Sequence, residues 1–159
     1  MSVTTHDIGF EALDSVEGVD SLCLFVSADE RPLPGVAGYV DWRLCGGLSR
    51  VLRNGFFQGA LGDQLLLPSS HRIAPQRIFA VGVGPAAALS LPLLQQSMRA
   101  AALMLTKAGV QGVALELPGA GVVPDPERAE ALEKAFLPDF KGRVAVLAEK
   151  PLRALISSR

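Results

Sequence analysis

The segment Arg77–Gly84, RIFAVGVG, constrains the fold more than any other stretch of the chain. It is apolar without the alternation of a strand that has one wet face, and glycines close it too early for a helix. A run of this kind is a strand buried on both faces. Such a strand needs helices above and below it, which points to an α/β domain built on a largely parallel sheet.

Other segments fit that frame. Ser21 to Val26 is a short apolar run that stops at the polar turn SADERPLPG and reads as a first central strand. DQLLLP, QGVALELP and RVAVLA supply further strands. Ser90 stands as the cap of a helix with Pro92 in its first turn, and Leu94, Met98, Ala101 and Leu105 recur at helical spacing until Gly109. Asp125 and Pro126 open another helix, which carries Ala129, Leu132, Ala135 and Phe136 and ends at Pro138. Asp41 is expected to cap a helix through WRLCGGLSRVLR, with Leu44, Leu48, Val51 and Leu52 on one face. In NGFFQGALGDQ, Gly55, Gly59 and Gly62 surround an aromatic pair, a pattern of turns about a buried anchor. The tail predicts only a final helical turn. Strands near Gln64 and Arg77 are joined by a short link, so the sheet is expected to be mixed and mostly parallel. With no linker, internal repeat or low-complexity segment, residues 1–159 read as a single domain.

Composition narrows the function classes. Net charge is −1, the pI is about 6.1, and the 15 Lys and Arg are scattered, so no positive field exists to collect nucleic acid. Residues 1–18 carry acidic side chains where a secretory leader has a basic region, and no apolar stretch is long enough to cross a bilayer. A cytoplasmic protein without a membrane partner is expected. Apolar residues make up 49% of the chain, enough for a core and for a surface that packs against a partner. Cys23 lies in an apolar run and Cys45 on the apolar side of the glycine-rich helix, so both are expected as packed, reduced thiols.

Catalytic chemistry finds little support. The 2 histidines, His6 and His71, have no partners at metal-ligand spacing. There is no G-x-S-x-G elbow, no complete dinucleotide fingerprint and no phosphate-binding P-loop, so neither a catalytic residue nor a cofactor nor a metal is expected. The candidate ligand contacts are Asp29, Gly82 and Gly84. Asp29 and Glu30 follow the first strand, where α/β sheets place ligand contacts. Gly82 and Gly84, at the end of another strand, are positioned to offer backbone N–H groups to a phosphate or carboxylate. The plainer readings are a solvated turn and a sharp exit from a buried strand.

In order, GGLSRVLRNGFFQGALGDQLLL, RIFAVGVG, QQSMRAAALML and AEALEKAFLPDFKGRVAVLAEK resemble the N-terminal domain of cytosolic leucine aminopeptidases. Phe57, Gly59, Gly62, Gly82 and Gly84 match best, and the resemblance runs from about Ser21 to Lys150. It implies a macro-like three-layer α/β/α sandwich with a mixed sheet, a fold shared with ADP-ribose-binding modules. In that family this domain helps to build a hexamer, while the metal ions and catalytic residues belong to a second domain. The signature N-T-D-A-E-G-R of that second domain does not occur in this sequence. The expectation is therefore a free-standing, non-catalytic assembly or regulatory module, forming a homo-oligomer or binding a protein partner. The alternatives are a module for a small anionic ligand of ADP-ribose type, and an accessory part of an aminopeptidase whose catalytic half is a separate chain.

Overall fold

The computed structural model describes residues 2–158. Its elements are β1 (Ser2–His6), α1 (Phe10–Ser15), β2 (Ser21–Ser27), α2 (Gly35–Arg43), α3 (Gly47–Arg53), β3 (Gln64–Pro68), β4 (Arg77–Gly84), α4 (Leu91–Lys107), β5 (Gly112–Leu115), α5 (Asp125–Ala131), β6 (Arg143–Leu147) and α6 (Lys150–Ser157). The six strands form one sheet in the order β1-β6-β5-β2-β4-β3. Every neighbouring pair is parallel except β3 with β4, which is antiparallel. The sheet is thus mixed and mostly parallel, and the fold is α/β.

Strand alternation assigns the two faces. Leu22, Leu24, Ile78, Ala80 and Ala114 pack on one face with Leu13 of α1, Val36 and Val40 of α2, and Leu48 of α3. Cys23, Phe79, Val81, Val113 and Val144 pack on the other with Met98 and Leu105 of α4, Ala129 of α5, and Leu152 of α6. The central strands are wet on neither face, which is why β4 reads as an unbroken apolar run.

Three local features differ from expectation. The helix expected from Asp41 to Arg53 is two helices, because Cys45 (φ 54) and Gly46 (φ 81) take left-handed conformations that turn the chain between α2 and α3. Asp41 does cap a helix, but it does so from inside α2: its carboxylate accepts the Ser49 N–H of α3 at 3.0 Å. Cys45 is exposed in that turn, with its Sγ 3.6 Å from Arg72 Nη1, so it is not the packed thiol that helical spacing implied. The tail forms a helix of 8 residues that buries Leu152 and Ile156. Finally, β1 and α1 arise from a stretch without a strand or helix pattern.

The family-like turn has a simple physical role. Phe57 is buried in the core, and the chain after it crosses the end of the sheet against β2 and β4. A Cβ on Gly82 would lie 2.0 Å from the Ala60 carbonyl oxygen, and one on Gly59 would lie 2.4 Å from that of Ser27. Glycine is required where these backbones touch.

Candidate functional site

The strands β2, β4, β5 and β6 point their C-terminal ends in one direction, and there the chain encloses a cavity of about 700 Å³. Ligands of α/β sheets bind in this position, where diverging loops leave a crevice beyond the strand ends. Phe25, Val26 and Ser27 of β2 form its base with Val83 of β4. The pairing of β2 with β4 slips between Val26 and Ser27, so the base ends in a local irregularity of the kind that re-aims side chains beside a site.

One wall is α2 with the loop before it. Tyr39 and Trp42 line the cavity together with Phe10, whose ring meets that of Tyr39 edge-on at 4.8 Å and that of Trp42 at 6.4 Å. Arg43 stacks on the Phe10 ring at 4.6 Å and is itself held by both oxygens of Asp14, at 2.6 and 2.9 Å. The opposite wall is the loop from Leu117 to Val122. That loop hangs on Arg128, a buried residue of α5, whose guanidinium donates to the carbonyls of Leu117 and Pro118 and pairs with Asp125 at 3.0 Å.

The charge of the lining is one-sided. Glu30, Glu116 and Glu149 line the cavity, and among the described residues no Lys, Arg or His does so. Each follows the end of a strand: Glu30 after β2, Glu116 after β5 and Glu149 after β6. Arg31, beside Glu30, spends its guanidinium on the carbonyls of Ser27 and Glu30 at 3.0 and 2.7 Å. The Glu116 carboxylate accepts the Val36 N–H at 3.0 Å and so occupies the N-terminal end of α2, where an incoming anion would otherwise sit. Burial pushes the Glu116 carboxyl above its ordinary value. The Val36 hydrogen bond and Arg128 oppose that rise, and the charges of Glu149 and Glu30 add to it.

The residues singled out from sequence lie beside this cavity and not in its wall. Gly82 and Gly84 donate their N–H groups to the carbonyls of Asp63 at 2.8 Å and Gly59 at 2.9 Å, so both are committed to holding the family-like turn. Asp29 accepts the Ala86 N–H at 3.0 Å, tying the β2 exit to the short turn after β4. Sequence reasoning noted Glu30 only as half of an acidic pair and passed over Glu116 and Glu149. A signal was present: VALE and VLAE each place a glutamate at the exit of a buried strand. Among the described residues no group of His, Cys, Asp and Glu is arranged to hold a metal ion, and no helix is long and apolar enough to cross a membrane.

Similar proteins agree with this architecture. No curated protein sequence matches the chain significantly. A tomato leucine aminopeptidase superposes with a TM-score of 0.68 at 18% identity, over 99% of this chain and 35% of that enzyme, so the chain spans about a third of its length. A macrodomain of Oceanobacillus iheyensis gives a TM-score of 0.72 at 14% identity, over 98% of this chain and 88% of that one. A Trypanosoma brucei macrodomain, solved in complex with ADP, gives 0.70 at 11% identity, over 99% and 68%. At these identities the likeness concerns the fold. The family is shown by sequence: the profile of the cytosol aminopeptidase family, N-terminal domain, matches residues 23–138, and the chain belongs to that family of domains.

Proposed function

We propose that this domain is a non-catalytic small-ligand-binding module whose site is the cavity at the C-terminal ends of β2, β4, β5 and β6. One observation carries this reading. A cavity of about 700 Å³ with a largely apolar, aromatic wall and a few converging polar groups has the size and make-up of a small-molecule site. Among the described residues its lining offers three carboxylates, one serine and one tyrosine but no histidine, cysteine or lysine, a set that supports binding more directly than any single reaction. That a Trypanosoma brucei macrodomain of this fold was solved with ADP supports the reading, since the same architecture there accompanies a ligand.

The experiment is native mass spectrometry of protein purified from its own cells, paired with Ala86→Phe, which fills the mouth from a half-buried lining position. A ligand-sized added mass that disappears in the variant supports the proposal. Equal added mass in both proteins, or none together with no thermal shift across a small-molecule library, overturns it.

A second reading, assembly, rests on a different observation. The sheet ends at β3, whose outer edge has no strand partner among the described residues, and Leu66 is exposed there. Phe56, 82% exposed, and Leu61 stand exposed in the turn leading into that strand. An open strand edge flanked by exposed apolar residues is suited to pairing with another chain. Multi-angle light scattering tests it: an oligomer that Phe56→Asp converts to monomer supports it, and a monomer at all concentrations refutes it.

A further inference from the structure

We infer that the ligand of the cavity is an organic cation, an ammonium group carried on an aromatic or aliphatic body. This rests on the cavity being a ligand site and adds the chemical class.

Three observations converge. Among the described residues the lining holds Glu30, Glu116 and Glu149 and no cationic side chain; Arg43, on the Phe10 ring, and Arg128, near Glu116, lie outside it, so the charged groups in the lining itself are acidic. The end of α2 that would draw an anion is already taken by the Glu116 carboxylate on the Val36 N–H. A phosphate or carboxylate would have to displace that group and then lie among three like charges. Phe10, Tyr39 and Trp42 give an aromatic wall that receives an apolar body, and because Arg43 already stacks on Phe10, Tyr39 and Trp42 are the rings left to meet a cation.

The cation is organic and not a metal ion. Among the described residues no set of acidic, cysteine and histidine side chains converges tightly enough to hold an ion, although the three glutamates share one cavity. Carboxylates spread around a space of about 700 Å³ suit a charge that arrives on a bulky frame. Glu30 and Glu149 are exposed at the exits of their strands, where they meet the ligand first, and Glu116 stands deeper against α2.

The test uses the single tryptophan of the chain, Trp42, which lines the cavity and reports its occupancy by fluorescence. The probes are phenethylammonium, its carboxylate counterpart 3-phenylpropanoate, and ADP-ribose. Phenethylammonium is expected to change Trp42 emission saturably. Glu30→Gln and Glu149→Gln, both at exposed positions that leave the core untouched, are each expected to weaken that binding about fivefold, the effect of one unit charge at short range in water. The carboxylate probe is expected to leave the emission unchanged. A response to 3-phenylpropanoate or ADP-ribose without one to phenethylammonium overturns the cation assignment and leaves the cavity as the site. Amine binding that both glutamine variants preserve, but Ala86→Phe abolishes, also overturns it, since charge then plays no part. Silence with all three probes overturns it as well, and an added mass in the native spectra then decides whether the site itself survives.

Discussion

Replacing Gly82 with alanine inserts a methyl group between two backbones. Its Cβ would stand 2.0 Å from the Ala60 oxygen, 2.6 Å from the Gly59 carbonyl carbon and 2.9 Å from that of Ala60. All three are main-chain atoms, so no side chain can swing aside, and the turn must retreat by more than an ångström to reach ordinary contact. That retreat stretches the bonds from Gly82 N–H to Asp63 and from Gly84 N–H to Gly59, now 2.8 and 2.9 Å. Overpacking of this kind costs about 1 to 3 kcal/mol and each lost buried hydrogen bond about 1 kcal/mol, so the expected loss is about 3 to 5 kcal/mol. With a urea slope of about 2 kcal/mol per molar, the midpoint falls by about 2 M. Gly62→Ala is the control: Gly62 has φ +89 but nothing within 4 Å of an added Cβ, so only backbone strain of about 1 kcal/mol remains. Chemical unfolding followed by far-UV circular dichroism measures both. Should Gly82→Ala lose less than about 1 kcal/mol, or Gly62→Ala lose more than it, the close-approach account of these glycines is wrong.

Other expectations follow from single contacts. Arg128→Met removes the donors to Leu117 and Pro118 and leaves buried carbonyls without partners; a loss of about 2 to 4 kcal/mol is expected, with faster hydrogen exchange across residues 117–124, and unchanged exchange there would refute its role in holding the cavity wall. Burial pushes the Cys23 thiol up to about 12, while Cys45 is exposed, so the native protein near pH 8 should release one equivalent of thionitrobenzoate and a second only on unfolding. The folded-state value of Glu116 is raised above its ordinary 4.5, so the native state holds that proton more tightly than the unfolded chain. Its contribution is therefore greatest at low pH and is lost as pH rises through the folded value. Glu116→Gln should gain on the wild type over that rise in thermal melts, and the opposite trend would contradict the assignment.

The parts of the fold visible in the sequence are those whose signal is local. Arg77–Gly84 was legible because a strand covered on both faces has no reason to alternate, and α4 because Leu94, Met98, Ala101 and Leu105 all meet the sheet. β1 was not legible: SVTTH is an edge strand with mostly exposed side chains, held by its pairing with β6 and not by its own pattern. α2 was hidden for another reason. Val36, Ala37 and Val40 face the core while Tyr39 and Trp42 face the cavity, so the helix is apolar on two sides and shows no stripe. Its N-terminal N–H is satisfied by Glu116, 80 residues away, a cap that no inspection of neighbours can find. The same non-locality explains the site. Glu30, Glu116 and Glu149 are far apart in the chain and meet only because parallel strands deliver their exits to one end of the sheet.

That strand order also sets which strand pairings are available as synthesis proceeds. β1 pairs through its full length with β6, Ser2 opposite Arg143 and His6 opposite Leu147, so β1 cannot enter the sheet until β6 has been made. The β2, β4 and β3 ribbon has its strand pairing within residues 21–84, but one of its faces is covered by α4 and can pack only once residues 91–107 follow. A ribosome-bound chain halted between residues 108 and 142 therefore has β2, β4, β3 and the helices that cover them, while β1 still lacks its partner strand.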